Sequence, residues 1–176
     1  IIMLMRYKLF LLVSVFFIYT NTIEGPKNSF KVMAWNILHG GNDIENGPEN
    51  VAKIIKEINP DIILMVETYG SGPFIANYLN YNFHLIASEE TKLDDPSVNL
   101  SIYSKYPFAK RIDTKYPFYL GGIEIPINGK TIRFFSNWFH YLPWDNEPEK
   151  MGKTVKELLE WELSGSRHNM IQKVLP

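Results

Sequence analysis

The chain has 176 residues, 45% of them apolar, enough to bury one core, and nothing in its composition divides it into two globular domains. A formal net charge of −1 excludes a broad basic surface that grips nucleic acid by charge alone. With no cysteine, the chain has neither a disulfide framework nor a lipobox.

At the amino terminus, Arg6 and Lys8 precede an apolar run from Leu9 to Ile18, the layout of a secretory signal peptide beginning at Met3 or Met5. The run is too short for a comfortable membrane span. Residues 1–25 are therefore expected to be a signal peptide, with an uncleaved membrane anchor as the alternative, and residues 26–176 to form the domain. The protein is expected to be exported to a periplasmic or extracellular location. Export without disulfides fits a bacterial exported enzyme.

Two stretches carry most of the information: Lys31 to Asn36, and Pro60 to Glu67. Each reads as a buried strand ending in a polar side chain. The unbroken apolar run from Ile62 to Val66 belongs in a covered sheet, which places Glu67 where that sheet meets a loop. Ligands bind at such ends in α/β folds. Between the strands, Val51, Ile54, Ile55 and Ile58 have the spacing of an amphipathic helix, with Pro48 in its first turn. Pro60 stops the helix at Asn59. A right-handed strand–helix–strand crossover would set both strands in one sheet, with Asn36 and Glu67 on the same rim. An amide and a carboxylate together can hold a hard cation.

Beyond Glu67, a turn from Thr68 to Pro73 leads into a helix over Phe74 to Leu79, capped by Ser71 or Gly72. The amides of that helix start could receive an anion. Strands follow at Phe83 to Ile86, Asn99 to Tyr103 and Gly122 to Ile127. Asn128-Gly129 favours a type I′ turn, predicting a hairpin between Ile123–Ile127 and Thr131–Phe135, with the second strand running on to His140. Two helices close the chain, one through Val155, Leu158, Leu159 and Trp161, the other from Ser166 through Met170, Ile171 and Val174.

This order of motifs resembles the endonuclease/exonuclease/phosphatase superfamily of metal-dependent phosphoesterases, from about Lys31 to the end. Trp35-Asn36 is similar to that family's first-strand asparagine. Asp61 to Glu67 is similar to its second strand, whose terminal glutamate binds magnesium. Asn99 to Pro107 is similar to its "leucine, serine, basic residue, x, proline" strand and turn. The resemblance implies an α/β fold, a four-layer two-sheet α/β sandwich. It also implies that the carboxyl-terminal part is missing, since the family's aspartate-x-asparagine and aspartate-histidine motifs have no counterpart before Pro176. Where the family has threonine, histidine, leucine, this chain reads Asn137-Trp138-Phe139-His140, putting Trp138 at the histidine's position. His140 lies two residues on, on the same strand face.

The resemblance thus implies Glu67 and Asn36 as metal site, Asn36 and His140 as catalytic residues, and His39, Ser71, Asn99 and Trp138 as substrate-binding. Each has a plainer alternative. Glu67 would otherwise cap a turn or pair with a lysine, Asn36 would satisfy loop backbone, His39 would be solvated, and Ser71 would cap its helix. Trp138, Tyr141 and Trp144 offer a platform for a sugar or base, or simply packing. The implied activity is hydrolysis of a phosphoric ester with Mg2+ or Mn2+, by metal-assisted attack of water on phosphorus. The expected partner is a phosphoester substrate. Nucleic acid is allowed but less favoured, to be separated by salt dependence, and no protein partner is inferred. The alternative is a non-catalytic exported binding domain on a degenerate copy of the same fold.

Overall fold

A computed structural model describes residues 29–87, 90–139 and 152–174. The proposed signal peptide or anchor, His140, Tyr141 and Trp144 lie outside the described residues.

The first strand, β1 (Val32–Asn36), leads through a single 3-10 turn at His39–Gly41 into α1 (Gly47–Ile58), which returns the chain to β2 (Ile62–Val66). Pro48 lies in the first turn of α1, and Asn59 ends it in a left-handed conformation with its N–H on Ile55 O. An asparagine tolerates that conformation, and the following proline forbids continuation. The buried stripe of α1 is Val51, Ala52 and Ile55, whereas Ile54 and Ile58 are exposed. The expected apolar face is therefore rotated towards Ala52, which is fully buried.

Next come α2 (Gly72–Leu79), β3 (Asn82–Ile86) and β4 (Leu100–Ser104). The first sheet has the order β1-β2-β4-β3. β1 and β2 are parallel with Asn36 opposite Val66, as the crossover requires, while β4 runs antiparallel to both its neighbours. β4 is buried along its whole length, and β2 over most of it. β1 is not the buried strand expected: Val32, Ala34 and Asn36 are exposed, because β1 is an edge among the described strands.

A second sheet is built from β5 (Lys110–Ile112), β6 (Leu120–Ile127) and β7 (Lys130–Asn137), in that order and antiparallel. The β6–β7 turn has φ of 51° at Asn128 and 74° at Gly129, the positive pair that a type I′ hairpin turn demands. β5 was not anticipated, since Lys110, Arg111 and Ile112 show no alternation long enough to signal a strand. β7 ends at Asn137 and does not run on to His140 as a described strand. The chain finishes with α3 (Val155–Ser164), opened by a capping box between Thr154 and Glu157, and α4 (Ser166–Val174).

Two cores flank the first sheet. On one face, Ile63, Met65 and Tyr103 meet Val51 and Ile55 of α1 and Ile75 of α2. On the other, Ile62, Leu100 and Ile102 meet Ile123, Ile125 and Phe134 of the second sheet. Each fully buried isoleucine or leucine contributes about 1.5–3 kcal/mol by leaving water. The result is a two-sheet α/β sandwich, with α1 and α2 as its outer layer on one side. Ser136 Oγ donates to Met65 O at 3.1 Å, tying β7 to β2 across the sandwich. That bond brings the end of β7 to the rim where β2 ends.

Candidate active site

Asn36 and Glu67 leave the parallel pair at the same end. Asn36 Nδ2 donates to Glu67 Oε1 at 2.8 Å, and Asn36 Oδ1 accepts the N–H of Leu38 at 2.9 Å. The amide thus fixes both the carboxylate and the entry to the next loop. Glu67 Oε1 accepts a second bond, from Trp138 Nε1 at 3.1 Å. Two donors on one oxygen set the carboxylate's rotation, and no described donor reaches Oε2.

The backbone at Glu67 is unusual for a residue with a side chain: φ is 58°, in the left-handed region. A non-glycine residue there costs about 1–3 kcal/mol and persists only where its surroundings hold it. Two bonds do so. Glu67 N donates to Asn99 Oδ1 at 2.9 Å, and Glu67 O accepts Gly40 N at 2.6 Å. Asn99 in turn donates from Nδ2 to Phe118 O at 3.0 Å, linking the rim of the first sheet to the segment entering β6. Thr68, fully buried, shares a 2.9 Å bond with Ser101 Oγ and secures the next residue.

The loop after β1 faces this rim. Leu38, His39, Gly40 and Gly41 all have positive φ, and Ser71 Oγ donates to Gly40 O at 2.7 Å. Ser71 occupies the N-cap position of α2 without a side-chain capping bond. Its hydroxyl braces the loop instead of the helix, so the expected capping role is corrected. At 6% exposure, Ser71 is also set back from the cleft. Asn99 is 1% exposed, with both ends of its amide engaged by backbone, and likewise does not line the cleft. Ser71 and Asn99, expected as substrate-binding residues, thus make structural bonds and neither lines this cleft. His39 does line it, and its Nδ1 lies 2.7 Å from Asp43 Oδ2. Trp138 lines it as well.

The cleft has a volume of about 970 Å³. Asn36, His39, Glu67, Tyr69 and Asn137 bring polar groups to it, and Phe118, Tyr119 and Trp138 form an aromatic side. Sequence reasoning missed Phe118 and Tyr119, because a Tyr-Pro-Phe-Tyr segment in a connecting stretch carries no periodic signal. Among the described lining residues Glu67 is the only carboxylate, and neither lysine nor arginine is present. No group of three or more His, Cys, Asp or Glu side chains converges among the described residues. This donor set still suits a small hard cation, which takes one or two carboxylates and completes its shell with water and substrate oxygens.

The sequence pattern of the Endonuclease/Exonuclease/phosphatase family matches residues 33–169, a span that contains both rim residues, the cleft and all of the two sheets but Val32. The chain belongs to this family. The fold agrees: over 74% of this chain and 56% of the other, it is similar to humanized TDP2 of D. rerio, with TM-score 0.50 and 15% identity. It is also similar to an endonuclease/exonuclease/phosphatase from Beutenbergia cavernae over 74% of this chain and 43% of that one, with TM-score 0.47 and 15% identity. In sequence, it is 28% identical over 91 residues to uncharacterized protein F14F9.5 of Caenorhabditis elegans, covering 46% of this chain and 29% of that protein. The chain thus spans less than a third of this curated relative and little more than half of the D. rerio structure.

Proposed function

We propose that this endonuclease/exonuclease/phosphatase family protein is a divalent-metal-dependent phosphoric-ester hydrolase whose reaction is centred on Glu67. The observation that carries the reading is the 2.8 Å bond from Asn36 to Glu67 Oε1 at the shared end of two parallel strands. It prepares a single carboxylate on a cleft large enough for a small ester.

Glu67 would hold Mg2+ or Mn2+, which supplies charge neutralisation at phosphoryl oxygens and at the leaving oxygen. Asn36 keeps the carboxylate in one rotamer, and Trp138 does so from the opposite sheet. Asn137, exposed on the cleft, is positioned to hydrogen-bond an ester oxygen. His140 is the proposed donor to a phosphoryl oxygen and lies outside the described residues. The absence of lysine and arginine from the described lining favours a small ester over a polynucleotide, whose binding depends on phosphate neutralisation.

The test is hydrolysis of bis(p-nitrophenyl) phosphate and of its monoester by the protein expressed from its full reading frame, with magnesium and with chelator. Turnover that disappears with chelator supports the reading, and the two esters separate diesterase from monoesterase. A folded protein that binds magnesium and turns over neither ester supports the second reading, an exported non-catalytic binding domain. What favours that alternative is Trp138, a group unable to transfer a proton, bonded to Glu67 at the position where the resemblance to the family implies a histidine.

A further inference from the structure

Phe118, Tyr119 and Trp138 do more than close one side of the cleft. The rings of Tyr119 and Trp138 are parallel to within 13°, with centroids 6.2 Å apart. Phe118 stands upright against both, at 82° and 5.1 Å from Tyr119 and at 87° and 5.8 Å from Trp138. Two parallel rings and one perpendicular ring make a right-angled corner. An alkyl chain binds to apolar surface of any shape. A flat ring finds in this corner both geometries that aromatic quadrupoles favour, an offset face on the parallel pair and an edge contact on the upright ring.

The corner is also preorganised. Trp138 N donates to Tyr119 O at 2.9 Å, Trp138 Nε1 to Glu67 Oε1 at 3.1 Å, and Asn99 Nδ2 to Phe118 O at 3.0 Å. These bonds fix the indole ring and the main chain of Phe118 and Tyr119, and the rings then pack on one another without a ligand, which lowers the ordering cost of binding. Because the indole edge touches the carboxylate, a ring seated in the corner lies beside whatever Glu67 engages. The exposed amide of Asn137, on the same cleft, offers a donor and an acceptor to a heterocycle's edge.

We infer that Phe118, Tyr119 and Trp138 form a subsite for a planar aromatic ring, an aryl group or a nucleobase, carried by the phosphoester next to its reacting phosphorus. The inference rests on the phosphoesterase reading for the identity of the second group, but not for the binding of the ring.

Three diesters with one non-aromatic leaving group, their hydrolysis followed by release of trifluoroethanol, test it: the 2,2,2-trifluoroethyl phosphates of thymidine (5′-linked), benzyl alcohol and octanol, each against methyl 2,2,2-trifluoroethyl phosphate. The expected result is a kcat/KM for the thymidine or benzyl ester roughly tenfold above the methyl ester. That ratio should fall to about one in Phe118→Leu and Tyr119→Leu, which leave the Phe118 carbonyl and the Glu67 bonds in place. Thymidine well above benzyl identifies a nucleobase, and parity identifies a simple aryl group. A ratio of one in the unaltered protein, or octyl preferred over both ring esters, overturns the subsite while leaving the hydrolase reading intact. If no ester is hydrolysed, the hydrolase reading fails and the subsite is judged by binding. Thymidine 5′-monophosphate should then shift the Trp138 indole N–H resonance in the unaltered protein and not in Phe118→Leu, and no shift overturns the subsite.

Discussion

Asn99 and Glu67 are joined by a buried 2.9 Å bond from the Glu67 main-chain N–H to the Asn99 side-chain oxygen. Through it, a residue with no access to the cleft holds the glutamate at φ 58°. Asn99→Leu would strand two backbone groups, Glu67 N and Phe118 O. Leaving such groups unsatisfied costs about 1–3 kcal/mol each. Urea unfolding should show a loss of about 2–6 kcal/mol for the two together, and calorimetry should show weaker magnesium binding in the fraction that remains folded.

Glu67 is half-buried at the rim, outside both apolar cores. Glu67→Gln keeps an acceptor oxygen for Asn36 and Trp138 and should lower the unfolding free energy by no more than about 1 kcal/mol. It should remove at least about a hundredfold of metal-dependent turnover, since charge neutralisation by the cation accounts for several kcal/mol. Circular dichroism and a magnesium titration of hydrolysis check both halves. Undiminished hydrolysis would remove Glu67 from the reaction.

Gly40 has φ of 70°, and a Cβ placed there would lie 2.6 Å from Ser71 Oγ and from Thr68 O. Its N–H and its carbonyl are both used in the loop, by Glu67 O and Ser71 Oγ. Gly40→Ala should therefore destabilise by about 1–3 kcal/mol and shift the loop bearing His39. The check is a stability curve together with the KM of a small diester, and an alanine variant indistinguishable in both would contradict this loop geometry.

His84, 2% exposed on β3, has an Nδ1 without a hydrogen-bond partner among the described residues. Burial, helped by Arg111 and opposed by Asp113, pushes its imidazole down to about 4. The unfolded chain takes up the proton near 6.5 and the folded chain only near 4, so between these values the unfolded state binds more protons. Stability is complete above about pH 6.5, falls as pH drops towards 4 and then levels off, by about 3 kcal/mol from this residue. Unfolding free energies measured from pH 4 to pH 7.5 should show that slope, and His84→Phe should remove most of it.

Much of this arrangement was legible in the chain itself. The uninterrupted run Ile62 to Val66 could only be a covered strand, and Pro48 and Pro60 marked the ends of α1 by forbidding other backbone states. Asn128-Gly129 fixed the β6–β7 hairpin, because few other pairs take two positive φ values at low cost. The parallel pairing of β1 and β2, and with it the meeting of Asn36 and Glu67, followed from the handedness of one short crossover.

Other features needed the tertiary structure. Ser71 reads as a helix cap, yet its own backbone is already helical, and its hydroxyl donates to Gly40 O and accepts from Asn42 Nδ2. Asn99 is a buried strut between Glu67 and Phe118, a pairing that its place in the chain does not disclose. Trp138 stands 71 residues from Glu67, and their bond exists only because β7 packs across β2. The sequence by itself determined the strands, turns and helix ends, where each residue's backbone limits and local apolar spacing act over a few positions. Only the packing of one sheet on the other decided which side chains share a hydrogen bond, since those partners are chosen by distance in space and leave no periodic trace along the chain.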